Sequence, residues 1–534
     1  MIKRKKIYLL TIVLFLISPN LFSVKKNIED IPKNPTLRII EADFAREKGA
    51  TCKIWQKCVG AGRANEGLRA DWQDQLRLIK NECGFEYIRM HGLMHDDMGV
   101  YFEDNTGKPF YNWQYIDQLY DFLLSIKIKP FVELTFMPSA LASGDKTVFW
   151  WKGNITPPKS YEKWYNLIKA LTEHFTERYG VEEVKTWYFE VWNEPNHPYF
   201  FTLDINEYFK MYDTAAKAVK TVNPDYKVGG PATAGNGWVK ETIEHCTTNN
   251  IPLDFIATHT YAVTKGFFDA TGETGTILSR NIKSITQDVI NSFNKIKAST
   301  KPNLELHYTE WSASYTPTDP IHDSYHSAAF ILDKIKGTET FAASMSYWVF
   351  TDIFEEQGPK PTPFHGGFGL LNYQTIKKPA FYVYKFLNEM GNTELLNKDA
   401  ASWVCRNTKG DIQVLFWDFT LTHPGDSVIN QVFYKRDLPS KPKGTTCVNL
   451  SNIPAGKYAL QLTRVGYKNN DAYSTYMQMG SPAQLTIQQV KVIKDINAGL
   501  PSVNEIIEIK PEGKFTYQLP VNENDVVLLK LIRL

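Results

Sequence analysis

Short apolar runs alternate with amphipathic stretches through residues 54–390. The apolar runs predict strands at residues 54–59, 85–91, 129–135, 184–192, 226–228, 254–259, 304–310 and 343–350. Stretches with a helical period predict helices at residues 114–126, 161–179, 205–222, 238–247, 282–296, 324–335 and 382–390. Such alternation indicates βαβ units around a parallel sheet. Eight units are the number that closes a barrel, so the pattern predicts an α/β fold, a (β/α)8 TIM barrel, over residues 51–391.

The pattern changes at about residue 392, where the helical period ends. Short alternating runs follow at residues 412–417, 428–434, 458–464 and 526–531, separated by turn-rich stretches. Runs of this kind predict a C-terminal β-sandwich domain over residues 392–534. The N-terminal segment, residues 24–50, contains a strand-like stretch at 36–42 that we expect to join this sandwich.

The first residues have the pattern of an export signal. Four cations at residues 3–6 precede an apolar run over residues 7–17, which is too short to span a bilayer. We predict a signal peptide at residues 1–23, cleaved near Ser23, and a secreted or periplasmic protein; an uncleaved anchor is the alternative. Removal of residues 1–23 moves the formal net charge from +2 to −2. We therefore expect no nucleic-acid partner and no membrane contact beyond the signal segment.

Composition adds little to this picture. Hydrophobic residues make up 43% and charged residues 22%, which is typical of a globular protein. Aromatic residues make up 13%; they can stack on sugar rings but fill cores more often. Six cysteines are scattered without metal-site spacing, and only Cys52 and Cys58 are close enough in sequence to suggest a disulfide. The favoured interpretation is that most are small buried hydrophobic residues.

Two glutamates stand at the ends of predicted strands. Glu194, in Asn193-Glu194-Pro195, follows the fourth strand, and Glu310 ends the seventh. Alone, the first motif is also compatible with a simple turn. The distance between the glutamates fits three β/α units, so both are expected at the carboxyl-end mouth of the barrel. Glycoside hydrolysis needs one carboxylic acid for the leaving oxygen and a second carboxylate for the sugar or for water.

Several motifs then carry a family resemblance. The motifs are Asn193-Glu194-Pro195, residues 258–261, Thr309-Glu310-Trp311, and residues 87–92, 133–138, 148–159, 351–356, 364–370 and 464–467. Together they resemble glycoside hydrolase family 39, the family of β-xylosidases and α-L-iduronidases among the retaining barrel enzymes. The resemblance implies that Glu194 is the general acid/base and Glu310 the nucleophile, with carboxyl groups about 5–5.5 Å apart. Exchanged roles are the alternative assignment.

Four further residues are candidates for binding the substrate. Asn193 is expected to bond the sugar 2-hydroxyl, a contact that strengthens toward the transition state. His91 ends the second strand, where the resemblance implies a contact with hydroxyls of the sugar to be released. His259 and Tyr261 follow the sixth strand. We expect His259 to contact the substrate and Tyr261 to hold Glu310, with core packing as the alternative for each.

Aromatic and acidic loops supply the remaining candidates. Phe149 begins a cluster with Trp150 and Trp151 that forms either a sugar platform or a loop anchor. After the last barrel strand, the resemblance implies a carboxylate that clamps substrate hydroxyls, for which Glu355 or Glu356 is favoured over Asp352. No segment has the spacing of a dinucleotide loop or a calcium loop. We predict no metal and no cofactor.

The leading hypothesis is an exported, exo-acting, retaining β-xylosidase that releases xylose from short xylo-oligosaccharides. An α-L-iduronidase-like activity would need cations for a uronate, and residues 260–262, Thr-Tyr-Ala, provide none. β-Galactosidase or exopolysaccharide hydrolase activity stays open, as does a non-catalytic carbohydrate-binding protein on the same fold. The oligomeric state does not follow from the sequence.

Overall fold

The computed structural model describes residues 37–268, 274–423 and 425–534. The predicted signal peptide lies outside these residues. No helix within the described ranges is long and apolar enough to cross a membrane.

Eight parallel strands form a closed barrel, which confirms the predicted fold class. In chain order they are Cys58–Arg63, Tyr87–His91, Lys129–Glu133, Tyr188–Glu190, Lys227–Thr233, Phe255–Tyr261, Glu305–Ser312 and Ser344–Tyr347. The ring closes where Tyr347 of the eighth strand pairs with Val59 of the first. The first strand begins later than predicted, because Ile54 and Trp55 lie in a turn and are buried without belonging to the sheet.

Helices cover the outside of the barrel. They are Ala70–Cys83, Gln114–Ser125, Tyr161–Tyr179, Val181–Val184, Ile205–Val222, Val239–Thr248, Thr286–Lys297, His326–Thr338 and Pro379–Asn388. Short 3₁₀ helices span Ala64–Leu68, Asp96–Met98 and Ala234–Asn236. The helix Ala70–Cys83 is additional to the predicted set, although Trp72, Leu76 and Ile79 bury one face at helical spacing. The predicted strand at 184–192 is shorter, because residues 181–184 are helical.

Three hairpins lengthen the loops at the carboxyl ends of the strands. They follow the second, third and sixth strands and pair Tyr101–Glu103 with Pro109–Tyr111, Thr147–Val148 with Gly153–Asn154, and Val263–Phe268 with Thr274–Leu278. In a barrel of this kind the loops after the strands surround the active site. The hairpins therefore add walls to that end of the barrel.

Two sheets build the second domain. One contains Leu37–Asp43, Pro442–Ser451 and Phe515–Asn522. The other has the spatial order Glu47–Ala50, Thr393–Leu395, Ser402–Arg406, Ile412–Trp417, Val526–Arg533, Gly456–Val465 and Val503–Ile509. Their inner faces share one apolar cluster that includes Ile40, Val448, Val414 and Leu529. The strand Leu37–Asp43 pairs in parallel with Pro442–Ser451, so the N-terminal segment contributes to this sandwich.

Three details of this domain differ from the sequence pattern. Residues 428–434, predicted as a strand, contain the short helix Asn430–Phe433. The Asn430 side chain accepts from the Leu278 backbone N–H and donates to Asp319, and these polar contacts override the alternating pattern. Two helices that were not predicted, Ala472–Gln478 and Ile487–Ile496, pack beside the sheets. All six cysteines are free, so Cys52 and Cys58 form no disulfide.

Candidate active site

The two glutamates reach the mouth of the barrel from different kinds of backbone. Glu310 lies within the seventh strand, and Glu194 lies in the loop after the fourth. Trp192 and Glu194 both have positive φ values, 73° and 44°, which are unfavourable for side chains with a Cβ. The Glu194 N–H donates to the Ala232 carbonyl at 2.8 Å, which fixes this turn. Strained residues of this kind persist where their surroundings hold them and are concentrated at functional sites.

The carboxyl groups of Glu194 and Glu310 are close together. One oxygen of each, and one ring nitrogen of His259, all lie within 4.8 Å of one another. Retaining glycosidases place their carboxyl groups about 5–5.5 Å apart, whereas inverting enzymes need about 6.5–9.5 Å to admit a water. The spacing therefore suits direct attack by one carboxylate. The same three groups are also compact enough to bind a cation, so the absence of a metal stays a prediction.

Donors surround the Glu310 carboxylate. Arg89 Nη1 donates to Oε1 at 2.7 Å, and the Tyr261 hydroxyl donates to Oε2 at 2.7 Å. Burial and the adjacent Glu310 charge raise the pKa of Tyr261 well above its ordinary value, so its proton stays in place for this bond. The two donors orient both oxygens of a carboxylate that is only 5% exposed.

Glu194 meets a neutral partner instead. Its Oε1 lies 2.8 Å from His259 Nδ1, while His259 Nε2 lies 3.1 Å from Thr309 Oγ1. Burial, with a further contribution from Arg89, lowers the pKa of His259 well below its ordinary value, so the imidazole carries no charge. Burial and the Glu310 charge raise the pKa of Glu194 well above its ordinary value. Glu194 is thereby kept as a carboxylic acid, the form that a proton donor needs.

Arg89 connects Glu310 to the barrel interior. It is fully buried and pairs with Glu133 at 2.6 Å, Glu190 at 2.6 Å and Glu310 at 2.7 Å. Burial opposes its charge, but the three carboxylates outweigh this effect and raise the pKa of Arg89. Its Nη2 also donates to Asn193 Oδ1 at 2.9 Å. The Asn193 amide nitrogen therefore remains to donate to a sugar hydroxyl.

His91 and Phe149 lie beside Glu310, on the side of the second strand. His91 Nδ1 is 2.9 Å from Glu133, and its Nε2 is 3.6 Å from both Glu310 and Glu356. The half-buried Phe149 ring stacks on His91 with centroids 5.8 Å apart. The structure thus brings Glu310, Glu356 and Phe149 together around His91.

The two adjacent acids after the eighth strand point in different directions. Glu355 pairs with Arg63 and Arg69, each at 3.0 Å, and its carboxylate is engaged away from the two catalytic candidates. Glu356 faces His91, and burial together with the charge of Glu310 raises its pKa well above the ordinary value. Of the two acids, Glu356 is therefore the one placed to reach a sugar.

Three residues of this network received no role in the sequence analysis, namely Arg89, Glu133 and Glu190. Each lies inside or at the end of a buried parallel strand, where an apolar residue is expected. A charged residue in such a strand needs a partner, because an unpaired buried charge is very costly. This is the sequence signal that could have identified them. The pairing itself required the register, in which Glu133 stands opposite Glu190.

The chain was compared with known proteins. The model of the Glycosyl hydrolases family 39 matches residues 38–513. A beta-xylosidase of Geobacillus stearothermophilus is 38% identical over 90% of this chain and 92% of its own length. Among solved structures, the GH39 enzyme from Xanthomonas axonopodis pv. citri is 40% identical over 94% of this chain and 98% of its own, with a TM-score of 0.90.

A monomeric beta-xylosidase from Caulobacter crescentus CB15 is 41% identical over 93% of this chain and all of its own, with a TM-score of 0.89. These relatives share the fold and nearly the full length of the chain. Together with the two closely spaced carboxyl groups, they show that the chain is a glycoside hydrolase. It belongs to the glycosyl hydrolases of family 39.

Proposed function

We propose that this glycoside hydrolase is an exo-acting, retaining β-xylosidase that releases xylose from the non-reducing ends of xylo-oligosaccharides. The observation that carries the retaining mechanism is the 4.8 Å limit on the distance between the Glu194 and Glu310 oxygens. Relatives named beta-xylosidases, at 38% and 41% identity over at least 90% of the chain, support xylose as the sugar.

In the first step, Glu310 attacks the anomeric carbon. One carboxylate oxygen forms a bond to this carbon while the bond to the glycosidic oxygen breaks, and Glu194 transfers its proton to that oxygen. The shortened oligosaccharide leaves as an alcohol. Xylose stays attached to Glu310 as an ester with inverted configuration, and Arg89 and Tyr261 keep the carboxyl group in position throughout.

In the second step, water displaces the ester. The Glu310 charge, which helped to raise the pKa of Glu194, no longer exists once the ester has formed. Glu194, now a carboxylate, accepts a proton from the incoming water, and the water oxygen bonds to the anomeric carbon as the ester bond breaks. The second inversion restores the original β configuration. One residue therefore serves as acid and then as base.

Contacts around the pair support binding of a neutral sugar. The Arg89 guanidinium is already bonded to three carboxylates and one amide oxygen. It therefore has no pair of free N–H groups to bind the carboxylate of a uronate. Glu356 adds an acid beside the same site. The arrangement therefore favours xylose over the iduronidase-like alternative.

The low exposure of both glutamates supports exo action. Glu310 is 5% exposed, and the Glu194 side chain is 12% exposed. A chain end can enter such an enclosed site, whereas the middle of a long polysaccharide would need an open groove. The sugar to be released would meet Asn193, His91 and Glu356 there.

We also propose that residues 1–23 direct export and are removed. The supporting observation is the order of cations, short apolar run and break in this segment. Mass spectrometry of the protein recovered outside the cytoplasm checks this point. A mass that begins near residue 24 is expected, and an intact chain in the membrane fraction would contradict cleavage.

A panel of 4-nitrophenyl glycosides tests the proposed activity. The purified chain should hydrolyse the β-D-xyloside with a higher kcat/KM than the β-galactoside, α-L-arabinoside or iduronide. The Glu310→Gln variant, which keeps the shape of the side chain, should release no nitrophenol and so assigns turnover to this site. Preference for another sugar would overturn xylose as the substrate. Sugar binding without any turnover would support the non-catalytic alternative.

A further inference from the structure

The loop after Glu194 is held by hydrogen bonds and is rich in aromatic residues. We call residues 195–201 the acid loop. The His197 N–H donates to the Glu194 carbonyl at 2.9 Å, and the Phe200 N–H donates to the His197 carbonyl at 2.9 Å. The Trp192 indole N–H donates to the Phe200 carbonyl at 2.7 Å. These bonds tie the loop directly to the backbone of the proton donor.

A continuous row of rings leads outward along the acid loop. Phe149, which stacks on His91 beside the nucleophile, lies 5.5 Å from Phe200. Phe200 lies 5.8 Å from His197, and His197 stacks on Tyr199 with centroids 5.4 Å apart and planes at 22°. Tyr199 is 55% exposed. One face of its ring is covered by His197, so the other face is open to a ligand.

His197 adds a hydrogen-bond donor to this surface. Its Nδ1 accepts the Tyr199 N–H at 3.3 Å, and burial lowers the pKa of His197, so the neutral ring carries its proton on Nε2. Nε2 has no hydrogen-bond partner among the residues that the structure describes. An aromatic face next to a free donor is the combination that binds a sugar ring through its apolar face and one hydroxyl.

The position of the acid determines which part of the substrate meets this loop. Glu194 protonates the oxygen of the leaving group, so the leaving sugars lie on the side of the acid. A second exposed aromatic residue, Trp150, is 57% exposed but contacts a different loop, the one after the eighth strand. The backbone N–H of Trp150 donates to the Glu356 carbonyl at 2.7 Å, and the Trp150 indole packs against Gly358. Trp150 lies in the hairpin after the third strand and packs against the loop after the eighth strand, whereas the acid loop follows the fourth strand.

We propose that the acid loop is the binding site for the leaving part of the oligosaccharide. Phe200 contacts the first leaving sugar, and Tyr199 with His197 contacts the second. This assignment rests on the proposed function and deepens it, because it makes oligosaccharides of three or more sugars better substrates than disaccharides. A disaccharide, like an aryl glycoside, has only one ring beyond the cleaved bond and does not extend to Tyr199.

The ratio of kcat/KM for xylotriose to kcat/KM for xylobiose tests the site. In Tyr199→Ala this ratio should fall about two- to tenfold, the range expected for the loss of one stacking contact. Tyr199→Phe retains the ring and should preserve the ratio. Tyr115→Ala is the matched control, because Tyr115 is 47% exposed on the helix Gln114–Ser125. Neither Tyr115→Ala nor Trp150→Ala should change the ratio.

Binding measurements separate this proposal from the proposed function. Calorimetry of xylotriose and xylobiose with the inactive Glu310→Gln chain, with and without Tyr199→Ala, gives the same comparison without turnover. An unchanged ratio in Tyr199→Ala, or a loss that occurs in Trp150→Ala instead, would overturn the acid-loop site. Absence of β-xyloside hydrolysis by the wild-type chain would instead overturn the proposed function.

Discussion

The surroundings of Glu310 and of Glu194 differ, although their carboxyl oxygens lie within 4.8 Å of each other. Glu310 lies in a regular strand and accepts from a buried guanidinium and a tyrosine hydroxyl. Glu194 lies in a loop with a left-handed backbone and faces an imidazole that burial keeps neutral. The comparison shows how a barrel gives two identical side chains different tasks. Arg89 and Tyr261 bond the Glu310 carboxylate, whereas burial and the Glu310 charge raise the pKa of Glu194 and keep it in its acid form.

Glu194→Gln removes the acid and keeps the nucleophile, and it should strongly reduce hydrolysis. For xylobiose, which has a poor leaving group, kcat/KM should fall by about 10²- to 10⁴-fold. For a 2,4-dinitrophenyl xyloside, which leaves without a proton, bond cleavage should be much less affected. Burst kinetics with both substrates makes this measurement. Equal losses on the two substrates would contradict the role of Glu194 as proton donor.

The pH profile of the same variant sharpens the point. The raised pKa of Glu194 keeps its acid form present at neutral pH, and that form is lost as the pH rises through this pKa. The wild-type kcat/KM should therefore decline on the alkaline side. Glu194→Gln should lack this decline. An alkaline limb that persists in the variant would assign the titration to another group.

Arg89→Met removes the cation that bonds the Glu310 carboxylate. The substitution leaves Glu133, Glu190 and Glu310 without their buried partner, so the free energy of unfolding should drop by about 3–5 kcal/mol. Denaturant titration measures the change. Arg178→Met is the control, because Arg178 pairs with Asp121 at the surface, and it should cost less than about 1 kcal/mol. Similar losses in both variants would show that Arg89 is not a buried anchor.

Tyr261→Phe tests the second donor to Glu310. Losing a hydrogen bond to a charged group should lower kcat/KM for aryl xylosides about ten- to a hundredfold. Tyr315→Phe, on the ring that packs edge-on against Tyr261, serves as the control. If Tyr261→Phe and Tyr315→Phe have the same kcat/KM, the Tyr261 hydroxyl does not assist Glu310.

Glu356→Gln and Glu355→Gln compare the two neighbouring acids and have the smallest expected effects. Glu356→Gln should raise KM about tenfold, because the carboxyl group that is placed to bond the sugar is replaced by an amide. Glu355→Gln should change KM less than about threefold, because the Glu355 carboxylate is already bonded to Arg63 and Arg69. The reverse order of effects would show that Glu355 contacts the sugar.

Strand ends could be predicted from the sequence because they depend on local patterns. Glu194 and Glu310 each follow an apolar run, and the count of units placed both at one end of the barrel. The partners of Arg89 could not be predicted in this way. Glu133, Glu190 and Glu310 come from three other strands, and only the three-dimensional register brings them to one guanidinium. The contact between His259 and Glu194 could not be predicted from the sequence either. It depends on the register that places His259 opposite Glu310 on the neighbouring strand.

Where local and tertiary effects compete, the sequence pattern is less reliable. Residues 428–434 alternate like a strand, yet the hydrogen bonds of Asn430 to Leu278 and Asp319 hold a short helix there. Glu355 and Glu356 are adjacent and chemically identical, so the sequence cannot say which one faces the site. The two arginines that bond Glu355 lie at the end of the first strand and shortly after it, almost 300 residues earlier in the chain.

Azide rescue tests the assignment of the two glutamates most directly. With Glu310→Ala, azide enters the space of the nucleophile and attacks the anomeric carbon once. An α-xylosyl azide of inverted configuration is expected. With Glu194→Ala, azide attacks the xylosyl ester on Glu310. A β-xylosyl azide of retained configuration is expected. NMR of the products distinguishes the two anomers. A retained azide from Glu310→Ala, or an inverted azide from Glu194→Ala, would contradict the assigned roles.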